Sequence, residues 1–326
     1  ADPQVETLAQ SCELLIHGSG PSFVAARDVA DWVKRFGRPF GVYGISYTGA
    51  EQAVRQLLAR AAFAYFRDSV SLQRARTDEA APSWAGWAPD AAFATDVRDD
   101  AAAQRFLREQ GLEDHRFACC IPRYRYTPYW TIRPGARYDA ERERRNREMV
   151  EADHVPLREA VTRVVRELGL RVLVCPEDMT QVALGREMIL DRLPEDVRRR
   201  VAWRDWFWRT DEALSVYERS AGLFGLEMHS PILCIGRGVP AIVGRFAEQT
   251  SKGVMWKDIG LGDWLFDFDD SADRERYPSA VVQMLADPAR SRQRANAARE
   301  YVARCFRETM RDIQTWASQH IERERG

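Results

Sequence analysis

Short apolar runs alternating with amphipathic helical stretches constrain this chain more than any other feature. "CELLIHGSGPS" reads as a strand and a Gly-rich turn, with a helix from about Ser22 to Arg35. "PFGVYGIS" is a second strand and "GAEQAVRQLLARA" a helix. "AFAYF" is a third strand, closed by "RDSVSLQRAR", where Asp68 or Ser69 is placed to cap a new helix. "APDAAFATD" reads as a short strand and turn. The rhythm resumes with a strand near 117–121 in "RFACCIPRYRY", then an amphipathic helix with Val161, Val164, Val165 and Leu168 on one face. Next come a strand in "RVLVCPED", a helix capped by Thr210, and a strand in "AGLFGLEM". "SPILCIGRG" is a short helix with Ser230 as N-cap and Pro231 in its first turn, stopped by Gly236 or Gly238. "PAIVGRF" returns to strand, and helices run from Pro278 onward. This order is that of parallel sheets covered by helices.

A length of 326 residues suits about two domains. The expected architecture is α/β, with two Rossmann-like doubly wound domains facing a cleft. The first spans 1–114, the second 115–290, and helices at 291–326 follow. The Arg/Glu-rich run "RPGARYDAERERRNREMVEADH" reads as a solvated helix face or loop. A formal net charge of −1 gives no field for nucleic acid or an anionic membrane. No apolar run approaches the ~18 residues of a membrane span, so a cytoplasmic protein is expected. The opening "ADPQVETLAQ" is not a typical start and leaves an upstream segment open. The six cysteines form no CxxC pair and read as buried free thiols. His and Cys are too scattered for a zinc site, and neither a metal nor a cofactor is expected.

The most informative stretch is "LEMHSPILCIGRGVP". His229 stands where a strand ends and a helix begins, and in doubly wound sheets ligands bind at that carboxyl edge. The first turn of a helix offers unpaired N–H groups and partial positive charge, which suit an anion. A histidine beside it supplies a hydrogen bond or a proton. Glu227 is its candidate acid/base partner, Ser230 a backbone anion ligand, and Lys252 in "EQTSKG" an anion clamp. Arg123 and Arg125 follow a strand and are candidate anion ligands, although 45 of the 48 cationic side chains are Arg and most cover surface. Glu177 and Asp178 also follow a strand and are either substrate contacts or loop caps. Gly18 and Gly20 permit close approach to a substrate. Trp256 and Trp264 are core anchors or sugar-stacking rings.

In their order, these motifs resemble the polysaccharide pyruvyl transferase family. The resemblance rests on "LLIHGSG", then Arg67, Asp68 and Ser71 in "AYFRDSVS", then Asp90 and Phe93, and finally His229, Gly238, Pro240 and Lys252. It spans about residues 12–265. It implies two Rossmann-like domains of the glycosyltransferase-B (GT-B) type. It also implies transfer of a pyruvyl group from phosphoenolpyruvate to saccharide hydroxyls, forming a ketal. A lipid-linked acceptor, with loose association at a membrane surface, is left open. Two departures stand out. The family's Arg two residues before the His is Glu227 here, and the family's Gly-Asn-type opening turn has no match, so the acceptor-side domain reads as truncated or diverged. Glu227 favours an alternative, a sugar-nucleotide-dependent glycosyltransferase of the same fold. A non-catalytic carbohydrate-binding relative is the third reading.

Overall fold

A computed structural model describes residues 3–320. It separates into two compact units. One takes the residues up to Ala91, the segment 250–258 and the residues from Tyr301 on; the other takes 92–249 and 259–300. The opening stretch of the first unit therefore ends at 91 and not at 114. The helical tail expected to stand apart from 291 is divided at Tyr301.

The first unit winds in one direction. Helix α1 (Pro3–Ser11) precedes β1 (Leu15–His17), α2 (Ala26–Phe36), β2 (Phe40–Ile45), α3 (Gln52–Ala59), β3 (Ala64–Phe66), α4 (Ser69–Thr77) and β4 (Ala85–Trp87). The four strands are parallel in the order β1-β2-β3-β4, leaving β1 and β4 as edges. Helix α2 buries Ala26, Val29 and Trp32 and ends at Gly37, whose φ of 63° is the left-handed conformation a C-cap needs. These residues pack with Phe40, Val42, Ile45 and Phe66 from the sheet. Asp68 caps α4 by accepting from the Ser71 N–H at 2.8 Å, as expected. The strand expected within 88–96 lies earlier, at 85–87, and residues 91–94 form a 3₁₀ turn instead.

The second unit is built on α5 (Asp100–Glu109), β5 (Phe117–Ile121), α6 (Ala140–Leu168), β6 (Arg171–Val174), α7 (Thr180–Met188), α8 (Glu195–Arg198) and β7 (Val201–Trp203). It continues with α9 (Thr210–Glu218), β8 (Gly222–Gly225), α10 (His229–Gly236) and β9 (Ala241–Arg245). Helix α11 (Met255–Asp258) falls in the segment belonging to the first unit. Strand β10 (Leu265–Asp267), α12 (Ser271–Ala286) and α13 (Pro288–His320) complete the chain.

All six strands of the second sheet are parallel, in the order β10-β9-β8-β5-β6-β7. Counted from β5, that is the 3-2-1-4-5-6 order of a Rossmann sheet. Winding reverses between β5 and β8, so the switch point lies there. Close approach at this seam demands glycine. A Cβ on Gly225 would sit 2.3 Å from the Ile121 carbonyl oxygen. The Arg/Glu-rich run enters α6, a single helix of 29 residues capped by Asp139, whose Leu157, Val161, Val164 and Val165 are buried. Neither α6 nor α13 is apolar enough to cross a membrane, and among the described residues no helix is. Five cysteines are buried free thiols, but Cys12 is exposed.

Candidate functional site

The carboxyl ends of β5, β6, β7 and β8 bring together residues far apart in sequence. Arg123 leaves β5, Glu177 leaves β6, the triplet Trp206-Phe207-Trp208 leaves β7, and Glu227 and His229 leave β8. A cavity of about 280 Å³ opens here, with Glu177, Phe207, Trp208, Tyr217, His229 and Leu233 in its wall.

Two carboxylates organise the site. Glu177 Oε2 accepts from the Ser230 N–H at 2.6 Å, and its Oε1 lies 3.0 Å from His229 Nδ1. The helix N-terminus expected to await an anion thus holds the protein's own carboxylate. Ser230 is not the N-cap, because α10 begins at His229; its hydroxyl accepts from Tyr217 Oη at 3.2 Å. Burial acts to raise the Glu177 pKa, but the bonds from His229 and Ser230 override it and hold the carboxyl well below its usual range. The His229 side chain remains 60% exposed.

Behind this pair, Glu227 is buried. Its Oε1 accepts from Arg123 Nη1 and from Gln181 Nε2, each at 2.5 Å. Burial pushes the Glu227 pKa up to about 7, with Arg123 pulling it down and Glu177 raising it further. Gln181 also accepts from the Glu177 N–H at 2.6 Å through its own carbonyl oxygen, so one amide ties the Glu227 carboxylate to the Glu177 backbone. Sequence reasoning missed Gln181. Its only signal was a position four residues after a strand-end glutamate.

The aromatic wall has its own support. The Arg204 guanidinium is buried over Trp206 at 3.8 Å, with Phe106 at 4.5 Å and Trp208 at 4.9 Å, and pairs with Glu212 at 2.9 Å. This fixes the loop after β7 and leaves Phe207 half-exposed at the cavity rim. The "WFW" triplet just past a strand was the legible signal. Thr210 is the first residue of α9 and not its cap.

No protein-family model matches the chain, and no curated protein does. Solved structures resemble it at low identity. An alpha,alpha-trehalose 6-phosphate synthase from Burkholderia multivorans aligns with TM-score 0.58 and 12% identity over 97% of this chain and 74% of that one. Anabaena HepE in complex with UDP-glucose aligns with TM-score 0.56 and 10% identity, over 97% and 81%. Staphylococcus aureus MnaA with UDP gives 0.56 and 11%, over 94% and 78%. The chain has the GT-B fold.

Within this GT-B chain, several expected site residues do other work. Arg125 is fully buried, bonded to Asp153 at 2.8 and 2.9 Å, to Glu248 and to Asp269, with Phe246 against its guanidinium. It is a structural hub and not an anion ligand. Asp178 caps its own loop by accepting from the Thr180 N–H at 2.7 Å. Lys252, expected as an anion clamp in a flexible segment, belongs to the first unit, where it is buried with its Nζ 4.0 Å from Asp90. Asp90 also binds Arg67 at 2.9 Å, and Ser71 meets Ser251 at 3.1 Å. The motif residues Arg67, Asp68, Ser71, Asp90 and Lys252 therefore converge in that unit as a buried polar cluster. Gly20 extends the first sheet by pairing with Ile45, and Gly18 lies beside β1. Trp256 and Trp264 are buried.

Glu177, Glu227 and His229 offer ligand atoms within 4.8 Å of one another. A cation there would have to displace Arg123 and Gln181 from Glu227, so the group fits a metal poorly.

Proposed function

We propose that this protein is a glycosyltransferase that takes a sugar from a nucleoside diphosphate sugar, UDP-linked in the first instance, and passes it to a saccharide hydroxyl. The observation that carries the reading is the balance of charge at the switch point. Two carboxylates, the partly buried Glu177 and the buried Glu227, face one guanidinium and one imidazole. Acceptor-rich surroundings suit a ligand rich in hydroxyls, and a nucleotide sugar presents them on both ribose and hexose. The flat Phe207 ring at the rim suits an aromatic base. UDP and UDP-glucose in GT-B structures of the same fold support the choice of donor.

His229 has the chemistry for the transfer. Glu177 holds its Nδ1–H, which leaves Nε2 as the acceptor in the neutral ring. In the reaction the acceptor oxygen forms its bond to the anomeric carbon as the bond from that carbon to the diphosphate oxygen breaks. The hydroxyl proton passes to Nε2, and the nucleoside diphosphate departs. Glu177 orients the ring and offsets the imidazolium charge.

Pyruvyl transfer asks for fixed cations that hold a phosphate and a carboxylate together. Arg123 is engaged by Glu227, Arg125 by three carboxylates, and the Ser230 amide by Glu177. These commitments weigh against a compact, multiply charged donor. The test is release of nucleoside diphosphate from a panel of nucleotide sugars, beside phosphate release from phosphoenolpyruvate, each with and without saccharide acceptors. Acceptor-dependent nucleotide release supports the proposal. Acceptor-dependent phosphate release from phosphoenolpyruvate overturns it in favour of pyruvyl transfer, and saccharide binding without any turnover overturns it in favour of a binding protein.

A further inference from the structure

A ligand carrying a diphosphate meets an unfavourable charge balance at the switch point. Arg123 is the guanidinium there, and its side chain is 21% exposed. Glu227 binds its Nη1. Burial acts to lower the Arg123 pKa, but the charges of Glu227, Glu177 and Asp178 raise it. With the His229 ring neutral, as the transfer step requires, one cation stands against these three anions. Phosphate oxygens are repelled from such a cluster until one carboxylate is neutralised.

Two of the three are committed to their charge. Glu177 accepts from the Ser230 N–H at 2.6 Å and faces His229 Nδ1 at 3.0 Å. Asp178 accepts from the Thr180 N–H at 2.7 Å. Glu227 differs, being only 2% exposed and having a carboxylate oxygen within 4.8 Å of one from Glu177. Two carboxylates so close, away from bulk water, keep a proton more readily than two charges. Arg123 and Gln181 both donate to Glu227 Oε1. Its Oε2 has a longer contact, 3.3 Å from the Met228 N–H, and is the oxygen open to a proton. Burial, opposed by Arg123 and reinforced by Glu177, places the Glu227 pKa at about 7. The remaining neighbours are neutral amides, Gln181 on α7 and Gln249 after β9, which donates to the adjacent Leu226 carbonyl at 2.6 Å.

We propose that binding of a diphosphate donor is coupled to uptake of one proton from solvent by Glu227, which removes one of the three negative charges around Arg123 and frees its guanidinium to turn toward phosphate. The identity of the ligand rests on the glycosyltransferase reading, whereas the coupling extends to any phosphate-bearing donor.

UDP-glucose is the probe, because its diphosphate is esterified at both ends and has no group that titrates near neutral pH. It is titrated into the full chain by calorimetry at pH 7.5, in buffers of differing ionisation enthalpy. The wild-type protein takes up roughly half a proton or more per ligand bound. Binding favours the protonated form, so affinity falls as pH rises from 6.5 to 8.5, by up to about tenfold per unit. Glu227→Gln mimics the protonated carboxyl, takes up no proton and keeps its affinity across that range. His229→Gln retains the uptake, which separates Glu227 from the imidazole. Uptake that is absent from the wild type, lost in His229→Gln or retained in Glu227→Gln overturns the proposal. The wild-type measurement needs no variant and decides even if Glu227→Gln does not fold. Phosphoenolpyruvate, titrated in the same way, distinguishes the two readings. Should it bind with an uptake that Glu227→Gln abolishes, while UDP-glucose does not bind, the coupling stands and the nucleotide-sugar reading falls. UDP-glucose that binds with no proton exchanged removes the coupling alone. Binding of neither ligand overturns both.

Discussion

Arg123 and Glu227 meet at 2.5 Å across the point where the strand order of the second sheet reverses, one leaving β5 and the other β8. Two further polar groups of the site connect to that pair. Gln181 joins it to the Glu177 backbone, and the Glu177 carboxylate binds His229 and the Ser230 amide of α10.

Glu227 gives the fold a signature near neutral pH. Burial raises its pKa from 4.5 to about 7 in the native state, despite Arg123. Between these values the unfolded chain has lost the proton and the native protein retains it, so this group's contribution is complete below about pH 4.5 and is lost as pH rises through 7. Glu227→Gln is expected to flatten the fall in melting temperature between pH 5 and pH 8. Parallel wild-type and variant curves would count against the assignment.

Glu177 has the opposite sign. Its carboxyl is held below its ordinary value, so its contribution is present above that value and fades as the solution is acidified. Glu177→Gln removes the acid-side loss and weakens the hold on His229. Steady-state assays of the proposed transfer should show kcat reduced about 10²–10⁴-fold, the range typical of general acid–base catalysis, with a smaller change in donor KM. An unchanged kcat would take the His229–Glu177 pair out of the mechanism.

Arg125→Met leaves Asp153, Glu248 and Asp269 without their shared cation. Stranding a buried charge costs about 3–5 kcal/mol, and urea unfolding is expected to show a loss of that order. Donor affinity measured below the transition should stay close to wild type. A selective loss of donor binding with stability intact would restore Arg125 as a ligand residue.

Gly225→Ala tests the seam itself. The added methyl would lie 2.3 Å from the Ile121 carbonyl oxygen, a backbone atom within the adjacent strand β5. Overpacking of this kind costs about 1–3 kcal/mol. Thermal melts should fall accordingly, and UDP titration should weaken as Arg123 and Glu227 are pushed out of register.

Much of this was legible in the sequence because it depends on local periodicity. The alternation of apolar runs with amphipathic helices identified the α/β class, and the strand-to-helix junction at His229 pointed to the carboxyl edge of a sheet. Glu177 and Arg123 stood out as residues just beyond strands. Nothing in their spacing told Arg123 from Arg125, two residues apart. One faces the switch point, whereas the other is enclosed by carboxylates contributed from residues 153, 248 and 269.

Lys252 shows the same limit from another direction. Its surroundings in sequence read as a loose polar loop, yet the segment 250–258 packs into the first unit and buries it beside Asp90. The sequence by itself determined most of the central strands and helices, since those follow from hydrophobic period and capping chemistry along neighbouring residues, but not short elements such as the strands at 85–87, 201–203 and 265–267. Strand order, the place where winding reverses and the partner each charge finds were decided only by the tertiary structure, because desolvation and ion pairing depend on groups that are distant along the chain and adjacent in space.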